Sequence, residues 1–455
     1  MKPVDDTIEP PAHGVSFREA TRFWIKLGFI NFGGPTGQIA IMHDELVERR
    51  RWISNARFLH ALNYCMLLPG PEAQQLAIYV GWLLHKVKGG IVAGVAFVVP
   101  AFFFILGLSY VYVVYGEIPW VTGVFYGLSA AVVGIVAAAV IRIGKKALGN
   151  PVMYLIAAAA FVAIFLLHVP FPLIVITAGL IGLLAGPRWP ATFTVAQEHA
   201  GEESAISDRG SAGEHTHLKL GRSLLALVIG LTVWFVPLLL VAAWAGRGST
   251  LSQQAWFFSK AAVVTFGGAY AVLAYINQAA VTQYGWLSAG QMVTGLGLAE
   301  STPGPLIMVT EFVGFVGAYQ HPGGTDPLVA GLVGAAVATW ATFAPCFLWI
   351  FLGAPFIEQL RGQTRLSTGL TTITAAIVGV VLNLALWFAI NTLFNTVRDV
   401  NAFGGLVPVP VWSSVDWFAV AVASVAFVGL WRYRWNVVLV VAASAVAGLM
   451  YTLAK

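Results

Sequence analysis

Nine apolar runs constrain this chain more than anything else in it. They are Gly89–Tyr115, Trp120–Ile141, Pro151–His168, Phe171–Gly186, Ser223–Trp244, Pro327–Gly353, Gly369–Phe394, Val415–Trp431 and Val437–Leu453. One helix across the hydrocarbon of a bilayer takes about 20 residues. Lipid offers the backbone no hydrogen bonds, so each run must pair its own N–H and C=O groups, and a helix does so within one segment. Three of the runs are short and suit tilted members of hairpins. Only 10% of the 455 residues are charged, where a soluble domain carries about 25%. A surface so poor in charge needs lipid as its solvent. The predicted class is all-α: a polytopic membrane protein.

What little charge there is has a use. The net charge of +5 fits basic residues set in short loops to orient the spans, so no nucleic-acid partner is expected. Membrane lipid is the expected surroundings. Cys65 and Cys346 both lie in apolar runs and form neither a disulfide framework nor a CxxC pair. Nothing near His215 and His217 in sequence completes a metal-ligand set, so no metal is expected. No hydrolase, metalloprotease or phosphate-loop pattern is present. No cofactor and no catalytic residue are therefore predicted, and any transport must run on an ion gradient or the membrane potential. Residues 1–16 read as a polar tail without the pattern of a cleaved leader. Residues 188–222 are rich in Ser, Glu, Gly and His and read as a linker between halves.

Four further segments are apolar but interrupted by Gly or Pro: Phe23–Met42, Phe58–His85, Phe257–Ile276 and Met292–Tyr319. A helix broken in lipid exposes backbone polar groups, each costing several kcal/mol, so breaks persist only where they line a cavity or lie within protein. The breaks also reveal a repeat. Phe32-Gly33-Gly34 recurs as Phe266-Gly267-Gly268, Trp52 and Ser54 as Trp286 and Ser288, and Pro69-Gly70-Pro71 as Pro303-Gly304-Pro305, all at an offset of 234. Lys26 maps onto Lys260 at the same offset. Further on, Pro100 pairs with Pro345, and Ala131–Gly134 with Ala376–Gly379, at an offset of 245, with the extra residues around His321–Asp326. The chain thus divides into a tail (1–16), a first repeat (17–187), a linker (188–222), a connecting helix (223–245) and a second repeat (246–455).

Charge suggests how the copies face. If each interrupted pair dips in and returns, Arg49, Arg50, Arg51, Arg57, Lys86, Lys88, Arg142, Lys145, Lys146, Arg188, Arg222, Arg361, Arg365, Arg432 and Arg434 fall on one side, with Arg247, Arg398 and Lys455 opposite. By the positive-inside rule that side, with the linker, is cytoplasmic. The loop Arg49–Ser54 carries three arginines, whereas its counterpart Gln283–Ser288 carries no charge. Four spans in each copy and one between them would invert the second copy. The expectation is therefore two inverted-topology repeats with broken, re-entrant helices, an architecture of transporters.

Helices starting after Pro71 and Pro305 would aim their N-terminal N–H groups into the protein, each with a partial positive charge of about half a unit. Two such ends, with Gly33, Gly34, Gly267 and Gly268 beside them, can hold an anion without arginine. The candidate substrate-binding residues are Lys26, Asn31, Gly33, Gly34, Gln38, Gly70, Pro71, Gln75, Lys260, Gly267, Gly268, Ser301, Thr302, Gly304 and Pro305. Two readings stand for the lysines: anion contact, or snorkelling to the interface. The polar side chains could instead satisfy backbone at the breaks. Glu72, Glu300 and Glu311 are candidate proton-coupling groups, and Glu72 could equally sit on its own helix dipole. They do not follow the repeat, so the copies are not chemically equivalent.

The segments Phe32–Ala40 (FGGPTGQIA), Leu67–Trp82 (LLPGPEAQQLAIYVGW), Thr265–Ile276 (TFGGAYAVLAYI) and Glu300–Phe315 (ESTPGPLIMVTEFVGF) resemble the chromate ion transporter family, in its long, two-domain form. The resemblance covers both halves. It implies a multi-pass protein of the bacterial inner membrane that exports chromate and confers chromate resistance, with sulfate as the competing oxyanion. A dianion leaving a cell that is negative inside gains about 2.3 kcal/mol per charge per 100 mV. Uniport down the potential and antiport against protons both remain open, as do an importer of sulfate or another oxyanion and, more remotely, a membrane-embedded oxyanion reductase. A second copy of the chain is a candidate partner.

Overall fold

The computed structural model describes residues 15–32, 34–66, 68–189, 220–266, 269–353, 364–402 and 405–455. The tail and most of the linker lie outside these, as do Arg361 and the site candidates Gly33, Gly267 and Gly268. Every predicted run falls on a helix. The first half contains α1 (Phe17–Ile30), α2 (Gly34–His43) ending in a π-turn (Asp44–Arg49), α3 (Asn55–Cys65), α4 (Glu72–Tyr115), α5 (Pro119–Ala147), α6 (Pro151–Phe165) and α7 (Phe171–Ala185). A long helix, α8 (Leu220–Ala245), leads to the second half. That half contains α9 (Thr250–Val264), α10 (Ala269–Asn277) with a second π-turn (Gln278–Gln283), α11 (Ala289–Ser301), a 3-10 turn (Leu306–Met308), α12 (Val309–Gln320), α13 (Pro327–Gly353), α14 (Thr364–Leu393), α15 (Trp417–Arg432) and α16 (Val437–Ala454). Among the described residues, six helices are long and apolar enough to cross a membrane.

Helix α4 is 44 residues long, and at 1.5 Å per residue a straight helix of that length would be about 66 Å, twice the hydrocarbon thickness. It is not straight. His85 (φ −139°) and Lys86 (φ +56°) leave helical geometry, and the chain turns back on itself there. Gly81 and Gly89 let the two arms touch: a Cβ on Gly81 would stand 2.5 Å from the Gly89 carbonyl and 2.7 Å from Ala93 Cβ. Gly314 and Gly334 make the same close approach between α12 and α13.

The interrupted pairs dip in and return. His85 Nε2 lies 2.8 Å from the Val15 carbonyl oxygen, and Arg50 lies 3.8 Å from Glu19. Chain entry, the turn after α2 and the bend in α4 thus gather at one end. In the second half the Thr250 hydroxyl donates to the His321 carbonyl, and His321 Nε2 lies 3.2 Å from the Gly285 carbonyl oxygen. The corresponding three turns gather there too. Ser54 and Ser288 each cap the helix that follows, accepting from the N–H groups of Arg57 and Gln291, a standard helix start. The same scaffold carries different charge in the two copies. In the first, Lys26, Arg49 and Arg50 converge on Glu45, and the Arg50 guanidinium covers the Phe23 and Trp52 rings. In the second, Tyr284 stands where Arg50 does and stacks on Trp286 with centroids 4.5 Å apart.

Two features escape the sequence. Residues 397–410 form a small antiparallel β-hairpin, β1 (Val397–Ala402) paired with β2 (Gly405–Pro410). It is the one strand-forming departure, among the described residues, from the all-α expectation. Across it the repeat offset grows again, to 266: Asn150 caps α6 and Asp416 caps α15. The second is an exchange of hairpins. Helix α5 packs chiefly on α15 and α16 of the other copy, and α14 packs on α6 and α7. Small residues make the contact, as between membrane helices generally. A Cβ on Gly134 would lie 2.5 Å from the Ala423 carbonyl and 2.7 Å from Phe427 N, and one on Gly379, the repeat partner of Gly134, would press into the Ala157 carbonyl and stand 2.9 Å from Phe161 N. Ala157 and Phe161 are the repeat partners of Ala423 and Phe427. The equivalent helices α4 and α13 run antiparallel where they touch: Gly90 lies against Phe351, and Gly94 against Phe347.

Candidate functional site

The breaks of the two copies meet. The Gly70 N–H donates to the Thr265 carbonyl at 2.9 Å, and the Gly304 N–H donates to the Asn31 carbonyl at 2.7 Å. Gly70 and Gly304 are repeat partners, and so are Asn31 and Thr265. The two bonds are therefore one bond made twice, each joining the PGP turn of one copy to the residue before FGG of the other. Both glycines have φ +120°, a conformation open to glycine and costly for any other residue. Pro71 and Pro305 follow, each with φ −68° and each at the N-cap of a helical turn. The first N–H groups of α4 and of the 3-10 turn leading into α12 thus start from this junction and carry the positive ends of their dipoles.

Buried amides collect around the junction. Asn31 is fully buried, and neither its Oδ1 nor its Nδ2 has a partner among the described residues. Gln38 donates through Nε2 to the Gly304 carbonyl at 2.5 Å, so it too crosses between copies, while its Oε1 is unpaired. Gln75 donates to the Pro69 carbonyl at 2.7 Å, closing the PGP turn, and its Nε2 lies 4.0 Å from Cys346 Sγ. The Oε1 atoms of Gln74 and Gln75 are unpaired. Leaving a buried polar group unmade costs about 1–3 kcal/mol, and such groups in a native chain mark a place for water or an ion. Gly34 has φ +65° and open space where a Cβ would stand. Of these unpaired amide atoms only Asn31 Nδ2 is a donor, the oxygens being acceptors, so what the junction offers a hydrogen-bond-accepting anion is that amide and the first N–H groups of the two helical turns.

Other candidates go elsewhere. Ser301 and Thr302 both donate their hydroxyls to the Leu298 carbonyl at 2.9 Å, satisfying backbone at the end of α11. The Lys26 side chain is 56% exposed and lies 3.8 Å from Glu45. Lys260 is exposed, its Nζ 5.8 Å from the Trp256 ring. Neither lysine has a partner at the junction. Glu72 is the first residue of α4, on its own helix dipole. Glu300 is buried and accepts a hydrogen bond from the Tyr270 hydroxyl. Glu311 is fully buried, and neither carboxyl oxygen has a partner among the described residues. Sequence reasoning missed Thr265, Tyr270 and Cys346. The offset of 234 could have found Thr265, as the counterpart of Asn31. Nothing in the sequence joins Cys346 to Gly70, although the sulfur would stand 3.1 Å from a Cβ there.

The chain matches the family model described as chromate transporter over residues 18–183 and 252–449, which are the two halves without the linker and α8. It is 31% identical over 386 residues to a protein of Cupriavidus metallidurans named chromate transport protein, covering 84% of this chain and 85% of that one. It is 28% identical over 450 residues to a chromate transport protein of Pseudomonas aeruginosa, covering 98% and 95%. A third relative, named uncharacterized transporter YwrB, of Bacillus subtilis, is 32% identical over 139 residues, 29% of this chain and 67% of its own length. No solved structure matches.

Proposed function

Because the chain belongs to the chromate transporter family, a family of transporters and not of enzymes, we propose that it exports chromate from the cytoplasm across the bacterial inner membrane and so confers resistance. The observation that carries this reading is the junction of the two PGP turns. Two chain breaks within a membrane protein, bonded reciprocally, with the first N–H groups of two helical turns and the Asn31 amide beside them, suit a dianion shed of its water. Asn31, Gly34, Gln38, Gly70, Pro71, Gln75, Gly304 and Pro305 are the residues we assign to it, with Gly33, Gly267 and Gly268 flanking them in sequence. Ser301 and Thr302 hold the end of α11, and the two lysines serve the interface. The antiparallel run of α4 and α13 and the arginine-rich turn of the first copy support an inverted pair of repeats with the linker in the cytoplasm.

Glu311 is the carboxylate best suited to carry a coupling proton, since it is buried with no partner to hold it ionised, while Glu300 is tied to Tyr270. Chromate uptake into everted membrane vesicles tests the whole reading. Flux should exceed that of vesicles lacking the protein, fall when sulfate is added, and respond separately to collapse of the pH gradient and of the potential. Flux equal to that of empty vesicles refutes it.

A further inference from the structure

A groove runs between α1 and the second arm of α4, walled by Ile25, Phe29, Val95, Val99, Phe103 and Phe104, with a volume of about 640 Å³. Its lining is apolar apart from Thr21, whose hydroxyl donates to the Phe17 carbonyl, and most of these side chains are exposed on the outside of the bundle. The second copy has the same place, between α9 and α13, but a helix fills it. Helix α8 packs on both. Trp340, the repeat partner of Val95, donates its indole N–H to the Val233 carbonyl at 3.0 Å. Leu348, the partner of Phe103, would stand 2.5 Å from a Cβ on Gly230. Trp349, the partner of Phe104, packs edge-on against Trp234 with centroids 6.3 Å apart. Among the described residues no helix occupies the groove of the first copy.

At the bent end of α4 the groove leads to a second pocket, lined by Phe17, Leu84, His85, Lys86 and Lys88. Both lysines are exposed, and among the described residues neither is in an ion pair. The bend itself sets them there, through the positive φ of Lys86. His85 is occupied by the Val15 carbonyl. The bend shares its end of the molecule with the arginine-rich turn after α2, where a cytoplasmic leaflet would present its headgroups. From Ile91 to Phe104 the groove extends along 13 helical steps, about 20 Å at 1.5 Å each, comparable with the reach of one leaflet, about 15 Å.

We propose that this groove and pocket form a binding site for an anionic phospholipid, its phosphate held by Lys86 and Lys88 and one acyl chain lying along α1 and α4 where α8 lies in the other copy. A basic pocket beside an apolar cleft at the cytoplasmic face is the arrangement that selects such lipids. A neutral lipid or a helix of a second copy would fill the apolar part but would leave the lysines unanswered.

The test is native mass spectrometry of the full chain in detergent, titrated with phosphatidylglycerol and, separately, with phosphatidylcholine of the same chains. The wild type should bind phosphatidylglycerol about thirtyfold more tightly, from two lysines near the phosphate. The double variant Lys86→Gln/Lys88→Gln should lose that preference, and Lys86→Arg/Lys88→Arg should keep it, which separates loss of charge from misfolding. Val95→Trp, which places in the groove the residue found at position 340, should weaken both lipids. Inorganic phosphate should not compete, since it lacks the chain. Equal binding of the two lipids by the wild type, or an unchanged preference in the glutamine variant, overturns the proposal. So does efficient cross-linking of two chains through Ile25→Cys in lipid, which would assign the groove to a second copy. Failure here would leave chromate flux, and the reading of the junction, intact.

Discussion

At the residue scale, Gly70 and Gly304 carry the most weight. Each is held at φ +120° and donates to the opposite copy. Gly70→Ala would bring a Cβ within 2.9 Å of Gln75 Nε2, and Gly304→Ala would drive one into Ala101. A non-glycine residue in such a conformation costs about 1–3 kcal/mol. Both variants should lower the thermal midpoint in detergent and abolish chromate flux, and a stable, active Gly304→Ala protein would remove the junction from the account. Glu311 makes a sharper case. Glu311→Gln keeps the shape and removes the titrating group. Protein level and midpoint should hold while flux driven by a pH gradient falls to background; flux that persists under the gradient alone would mean that the proton travels elsewhere. These residues were legible in the sequence because glycine, proline and glutamate are out of place mid-span. Their partners were not. That the Tyr270 hydroxyl reaches Glu300, or that the lysines face outward, depends on how helices turn about their axes, and neighbours set that rotation.

At the scale of elements, the exchanged hairpins do for the two halves what a large hydrophobic interface does in water. Helices α5 and α14 each lie on the last two helices of the other copy. Lipid provides no hydrophobic drive between helices, so close fit of small residues does the work. On α5, Gly123 and Gly127 lie one turn apart, opposite Gly448 and Ser444 of α16. Gly134→Val and Gly379→Val occupy equivalent contacts and should destabilise by similar amounts, about 1–3 kcal/mol each as overpacking. Thermal unfolding of the two variants side by side is the check; a large loss in one and none in the other would argue that the exchange is not reciprocal. The apolar runs showed that these helices exist and roughly where they end. They carried no information on which helix each one meets, since nearly every face of such a helix is apolar. The β-hairpin at 397–410 was missed because twelve strand residues between two spans read as an ordinary loop.

At the scale of the whole molecule, the question is which way the copies face. Cysteines placed at Ser54 and Ser288, which cap equivalent helices, should react with an impermeant thiol reagent from opposite sides of the membrane, in a chain whose own cysteines are both buried. Labelling of both from one side would end the inverted arrangement. The sequence by itself determined that the chain lives in lipid, that its apolar runs are helical, that four segments are broken and that one unit occurs twice. Those follow from local chemistry: the cost of bare peptide groups in hydrocarbon, and a register that identical residues repeat. Only the tertiary structure decided that the two PGP turns bond to each other's copy, that the final hairpins trade places, and that α8 fills one groove and leaves its twin open. Such pairings are set by shape between segments from about one hundred to about three hundred residues apart in the chain, where the apolar pattern is too uniform to name a partner.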